Sequence, residues 1–272
     1  MFGCFSLNHL LWFPPLKILV CIKQVPTPES RFTFQADPPG YAETGLSFRM
    51  NLYDEYALEE ALCLQESVPG SSVTALSLGP ARVQSAIRRA LEMGANHGVH
   101  LLDEASAVRD AFGIAAEIAS WARDQRFDLI LTGVMAEDDQ RSQTGPYLAC
   151  LLGIPYATAV LRFEMDIERS RVSVQREREQ GFCETVLLPT PALVAMQSSN
   201  HQPRYPSLSN KLRARRKEIE VIRRVEGEEI PRLLEVVQVG LPENLRSTVY
   251  LSGTPEEAAA GLLNVLERRQ LL

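Results

Sequence analysis

The stretch Ser72–Leu102, SVTALSLGPARVQSAIRRALEMGANHGVHLL, decides the fold. Its opening, SVTALSL, is a short apolar run of the kind a buried strand needs, and Gly79-Pro80 stops it. Ala81–Met93 then reads as a helix carrying Arg82, Arg88 and Arg89, with Gly94 where a helix ends in a left-handed residue. Gly98–Leu102 returns to a strand. Strand, helix and strand in so short a span make a crossover unit, which sets the two strands parallel beneath the helix.

The same rhythm continues outward. Upstream, Lys17–Ile22 (KILVCI) is an apolar run suited to a buried parallel strand, ended by Pro26 and Pro28 at an irregular region, Thr27–Gly45. From Asn51 the pattern is helical: Ala57, Leu58, Ala61, Leu62 and Leu64 are apolar, while Glu55, Glu59, Glu60 and Glu66 are polar. Asn51 or Asp54 is placed to cap the start. Downstream come a helix over Ala105–Asp124, a fourth strand over Asp128–Gly133 and a helix from about Thr144 to Leu152. Beyond Pro155, the segments Ala157–Asp166, Arg171–Glu177 and Glu184–Leu188 read as strands joined by polar turns, and Pro191–Met196 is another apolar run. The expected fold is a doubly wound, mostly parallel α/β sheet with a nucleotide-binding-like core, antiparallel additions and a C-terminal arm.

Composition narrows the function classes. With 272 residues, 45% hydrophobic and 23% charged, the chain suits a soluble domain with a large core, and its net charge of −6 argues against a nucleic-acid partner. The five cysteines (Cys4, Cys21, Cys63, Cys150, Cys183) are scattered, and the four histidines never join them in a ligand spacing, so reduced thiols and no metal site are expected. Residues 1–15 are apolar but lack the basic start and cleavage site of a signal peptide. They are expected to be a disordered or mis-started extension, with surface packing and membrane association as alternatives. No stretch reaches transmembrane length, and no stable membrane insertion is expected. The core is expected over 16–197. A turn-rich loop and basic arm that bury little are expected over 198–235, and a tail with an amphipathic helix from about Thr254 over 236–272.

In a doubly wound sheet, ligands sit outside the carboxyl ends of the strands where strand order reverses. The loop Gly133–Gly145 is the most telling at that edge. Gly133 permits a tight turn, and Gln143-Thr144-Gly145 opens a helix whose free amides favour an anion. Thr144 adds a hydroxyl, and Ser142 or Gln143 a further polar contact, which together make a phosphate cradle. Asp138 and Asp139 admit three roles: paired-carboxylate catalysis, loop capping with ribose contact, or solvated charge. Adjacent residues point apart, so they make a poor acid/base pair. Neither a dinucleotide fingerprint nor a P-loop is present.

Five segments in order, KILVCIKQV, MNLYDEYALEEAL, SLGPARVQSAIRRALEMGA, DLILTGVMAEDDQRSQTG and PRYPSLSNKLRARRKEIEVI, resemble the β (small) subunits of electron-transfer flavoproteins, over about Leu16 to Ile222. The resemblance implies a heterodimer with an α subunit that supplies most of the FAD site, and an AMP held by this subunit as a structural ligand. By matching motif, AMP would lie against the backbone of Cys21, against Asn51, Leu52, Tyr53 and Asp54, and against Leu78. It would also meet the loop formed by Gly133, Val134, Met135, Ala136, Glu137, Asp138, Asp139, Gln140, Arg141, Ser142, Gln143 and Thr144.

The resemblance further implies docking of acyl-CoA or other flavin dehydrogenases through Leu208, with electrons leaving to a quinone reductase. Where some members carry modified lysines, this chain has Arg213 and Arg216, which keep the charge and exclude lysine methylation. Glu177 matches a glutamate that contacts the mobile flavin domain. An electron carrier rather than an enzyme is implied, and a bacterial cytoplasm is expected. Two alternatives stand beside it. Gln24-Val25-Pro26 occurs among bifurcating relatives, which bind a second FAD and oxidise NADH. Those relatives often carry Gly-Asp where this chain has Asp138-Asp139, whose bulk and charge narrow the space and favour AMP. From another class, a stand-alone AMP/ATP-binding sensor could share the core, but it would not need the arm after Ser198.

Overall fold

A computed structural model describes residues 14–37, 39–104, 109–223, 230–241 and 248–272. Most of the extension expected over 1–15 lies outside these residues. So do the first four positions expected of the helix Ala105–Asp124 and parts of the arm and tail. The chain divides into two compact units. The larger runs to Phe32 and resumes over Glu43–Glu235, and the smaller holds Thr33–Ala42 and Val236–Leu272.

The larger unit opens with β1 (Lys17–Cys21) and β2 (Gln24–Pro26). In the smaller unit β3 (Phe34–Ala36) and β4 (Pro39–Tyr41) pair antiparallel. Back in the larger unit follow β5 (Phe48–Met50), α1 (Leu52–Ser67), β6 (Ser72–Gly79), α2 (Gln84–Met93) and β7 (His97–Leu102). Next are α3 (Ala111–Ala122), β8 (Leu129–Gly133), α4 (Thr144–Leu152), β9 (Tyr156–Asp166) and β10 (Arg171–Glu177). The unit ends with β11 (Cys183–Pro189), β12 (Ala192–Met196), α5 (Leu208–Arg216) and β13 (Ile219–Arg223). The smaller unit ends in α6 (Pro255–Arg268), whose N-terminus carries a reciprocal Thr254–Glu257 capping box.

One sheet organises the larger unit, in the order β11-β10-β9-β12-β8-β1-β6-β7-β13. From β9 to β13 neighbouring strands run parallel, while β10 and β11 add an antiparallel meander at one edge. Both faces are covered, as a parallel sheet requires. Ile18 and Val20 of β1, Leu129 and Leu131 of β8, and Val194 of β12 pack under α1 and α2 with Leu58, Leu62 and Ala90. The intervening Leu19, Ile130 and Leu193 pack on the other side with Ile118 of α3 and Leu148 of α4. Each buried Leu, Ile or Val among them contributes about 1.5–3 kcal/mol by leaving water.

Several elements differ from expectation, among them the antiparallel pair β3–β4 inside Thr27–Gly45, a region read from the sequence as irregular. Ala81–Val83 is a separate 3-10 turn, so α2 starts three residues late. Asp110 caps α3 by accepting from the Gly113 amide at 2.8 Å, which sets its start at Ala111 rather than Ala105. Within the stretch read as a turn-rich loop and basic arm that bury little, Ile219–Arg223 stays largely exposed but pairs with Gly98–Leu102 as the ninth strand of the main sheet. The cause is non-local. Arg88 of α2 donates to the carbonyls of Ala214 and Lys217, and the Lys217 ammonium donates to the Ala95 carbonyl at 2.7 Å. These bonds lay the segment against the edge of β7, where Ile219 reaches the core.

Candidate functional site

The chain leaves β1 toward β6 on one side and β8 toward β12 on the other, so strand order reverses between β1 and β8. Ligands of such sheets lie outside the carboxyl ends at this point. The ends of β1, β6 and β8 and the starts of α1 and α4 bring together Cys21, Asn51, Leu52, Tyr53, Asp54, Leu78 and the loop Gly133–Thr144.

Asp54 is the keystone. One carboxylate oxygen accepts from the Lys23 amide at 2.7 Å and the other from the Gly133 amide at 2.9 Å, so a single side chain ties β1 to β8. Burial pushes its carboxyl up to about 7, against the opposing pull of these amides and of Asn51. The contact also explains Gly133. A Cβ there would stand 2.4 Å from the Asp54 carboxylate and 2.7 Å from the Tyr53 Cβ. Close approach of α1, rather than a tight turn, demands the glycine.

Asn51 occupies the N-cap position of α1 but makes no capping bond. Its amide instead holds the loop, donating to the Met135 carbonyl at 2.9 Å and accepting from the Glu137 amide at 3.1 Å. Glu137 takes the capping role from across the site, accepting from the Leu52 amide at 3.1 Å while pairing with Arg49 at 2.8 Å. Lys23 clamps the loop from the other side, its ammonium 2.7 Å from Asp138 and 3.0 Å from Asp139. Burial opposes the charge on Lys23, but the two aspartates outweigh it and hold the ammonium above its ordinary range. Both carboxylates therefore converge on one cation, a loop clamp rather than an acid/base pair. Val134 continues the main-chain bonding by donating to the Met196 carbonyl at 2.8 Å. Ala136 accepts from the Gln140 amide at 2.9 Å, and Asp139 accepts from the Arg141 amide at 3.1 Å. Gln140 and Ser142 sit at φ of 51° and 54°, in the left-handed region that non-glycine residues rarely adopt, with the Gln140 amide bonded back to Ala136.

The loop ends at α4, which has no side-chain cap. The amides of Thr144 and Gly145 stand at its entrance, and Pro146 in the third position has no donor. Beneath them the buried Thr132 hydroxyl has no hydrogen-bond partner, nor has the buried side-chain carbonyl of Gln143. Buried polar groups without partners are uncommon, and here two lie at the mouth of one helix. Cys21 ends β1, where burial, and then the Asp54 carboxylate, push its pKa up and keep it a thiol. That suits a backbone contact. Leu78 is half-buried near the end of β6.

The remaining predicted residues lie elsewhere. Leu208 is the first residue of α5 and 74% exposed, with Arg213 and Arg216 exposed on the same helix. Glu177 is exposed at the end of β10 and accepts from the Gln197 amide at 2.5 Å. Sequence reasoning missed Lys23, although a lysine just beyond a strand, facing an Asp-Asp loop, was the available signal. It also missed the partnership of Glu59 with Arg204, for which local spacing carries no signal. Among the described residues, no group of three or more His, Cys, Asp or Glu could hold a metal ion, and no helix is long and apolar enough to cross a membrane.

A family model described as the electron transfer flavoprotein domain matches residues 40–226. The chain is 34% identical over 247 residues to the electron transfer flavoprotein subunit beta of Homo sapiens, covering 90% of this chain and 96% of that one. It is 32% identical over 242 residues to the subunit beta of Bradyrhizobium diazoefficiens, covering 89% and 95% respectively. The mitochondrial subunit beta of Arabidopsis thaliana is also 32% identical over 242 residues, with the same coverage. With the domain matched over most of its length and relatives aligned nearly end to end, the chain belongs to the β subunits of the electron transfer flavoprotein family.

Proposed function

We propose that this subunit holds AMP at the β1/β8 switch point, completes the FAD site of an α subunit, and docks flavin dehydrogenases such as acyl-CoA dehydrogenases. Electrons then leave to a quinone reductase. One observation carries the nucleotide site: the uncapped entrance of α4, with the Thr132 and Gln143 oxygens left without partners beside it. The amides of Thr144 and Gly145 and the Thr144 hydroxyl are donors for a phosphate. The ends of β1 and β6 at Cys21 and Leu78 offer backbone and apolar surface to the rest of the nucleotide. FAD, held mainly by the α subunit, supplies the redox chemistry. Leu208, Arg213 and Arg216 are the dehydrogenase-docking residues in this reading, and Glu177 meets the flavin-bearing domain of the α subunit.

AMP suits the loop better than a second FAD. The Asp138 and Asp139 side chains, both drawn onto Lys23, narrow the space that a longer dinucleotide would need. The test is to co-express the chain with the α subunit, purify the heterodimer, and identify the extracted nucleotides. One FAD and one AMP per heterodimer are expected. Two FAD with NADH oxidation would establish the bifurcating alternative, and a heterodimer without adenylate would remove the site reading. A monomer that binds AMP and does not pair with the α subunit would establish a sensor.

A further inference from the structure

Between α1 and the segment that precedes α5 lies a charged network that the nucleotide site does not use. The Glu59 side chain is only 5% exposed. It accepts from the Arg204 backbone amide at 2.9 Å and from the Arg204 Nε and Nη2 at 2.9 and 2.8 Å. The same guanidinium reaches Glu66, with Nη2 at 3.3 Å from one carboxylate oxygen. At the next residue of α1, Glu60 accepts from the Ser199 hydroxyl and stands 2.9 Å from the His201 Nδ1, while the His201 amide donates to Ser199 at 2.7 Å. Residues 199–204 are thus fastened to one face of α1.

The consequence appears at the next residues. With Arg204 turned inward and Pro206 buried, Tyr205 is thrown outward, 79% exposed, between the Arg89 guanidinium at 5.2 Å and the Lys211 ammonium at 4.6 Å. Ser207 then caps α5 by accepting from the Asn210 amide at 3.2 Å, which stations Leu208 outward at the first helical position. At the far end Arg88 holds the last carbonyls of α5.

We infer that Arg204 and Glu59 are positioning residues for docking: they fasten the approach to α5 so that Leu208 is presented in one place before a dehydrogenase arrives. This rests on the docking reading of Leu208 above. A surface already ordered loses little conformational entropy on binding, so loosening it weakens the encounter complex while leaving electron transfer within that complex unchanged. Arg suits the role because its planar fork can bridge the main-chain-bonded Glu59 and the outer Glu66, a geometry a lysine cannot reproduce.

The experiment uses the heterodimer with its α subunit and, as probe, an acyl-CoA dehydrogenase reduced by its acyl-CoA. Arg204→Leu is expected to raise the KM for the flavoprotein by about tenfold or more, with kcat within about twofold and FAD content unchanged. Arg204→Lys, which keeps the charge and loses the fork, is expected to fall between it and the wild type. Leu208→Ala in the same assay tests the underlying reading. If Leu208→Ala raises KM and neither Arg204 variant does, the positioning role is overturned while docking stands. If Leu208→Ala leaves KM unchanged, the docking reading fails and the positioning role with it. Should Arg204→Leu yield no heterodimer, the KM of Arg204→Lys decides: a rise at constant kcat supports the inference, and a wild-type KM overturns it.

Discussion

Asp54 shows how one side chain can join two distant stretches of chain. It lies in the first turn of α1, yet its partners are the Lys23 and Gly133 amides at the ends of β1 and β8. Its folded pKa of about 7 stands above its ordinary 3.8, so the native state binds the extra proton between those values. Stability is therefore gained as pH falls below about 7 and lost as pH rises from about 4 to about 7, with no further change above. Urea midpoints of the heterodimer at pH 5.5 and 8 should show this decline, and Asp54→Asn should flatten it; an equally steep decline in the variant would refute the assignment. At this scale the sequence marked Asp54 as a cap or a ligand contact. It could not show a clamp, because both amide partners are brought in by the sheet.

Among the elements, α4 was legible to the residue: Thr144 starts it, Leu152 ends it, and the loop before it carries the polar residues that a helix entrance attracts. The strand β13 was not legible, since a short run of Ile219, Val221 and Ile222 among charges resembles an exposed arm. What makes it a strand is α2. Arg88→Met should take the Arg88 donor from the Lys217 carbonyl and leave that of the buried Ala214 with the Lys217 amide as its remaining donor, at a cost of about 1–3 kcal/mol. Amide exchange should quicken across α5 and β13 while β1 and β8 keep their protection. Uniform acceleration across the sheet would show that the seam is not a local lock. The loop Gly133–Gln143 illustrates the same dependence, because Asn51 and Lys23, both outside it, bond to Met135, Glu137, Asp138 and Asp139.

For the molecule as a whole, the smaller unit poses the sharper question. Val237, Leu241, Val249, Tyr250, Leu262 and Leu263 are all exposed in it, more large apolar surface than a self-sufficient tail leaves to water. Purified alone, the chain is expected to self-associate as concentration rises. Purified with the α subunit, it is expected to sediment as a heterodimer over the same range. A sharp monomer at every concentration for the isolated chain would show that this surface needs no cover. The grouping of Thr33–Ala42 with the tail was invisible in the sequence, where that stretch reads only as an irregular loop.

The sequence by itself determined the alternation of strands and helices, the two-faced core and the loop at the end of β8, because those follow from spacings of two and 3.6 residues within a single segment. The order of segments along the chain also carried the family. Tertiary structure alone decided which charges are partnered: Lys23 with Asp138 and Asp139, and Glu59 with Arg204 across 145 residues of chain. Such pairs leave no local period to read, since their geometry exists only after the sheet has brought the ends of separate elements together.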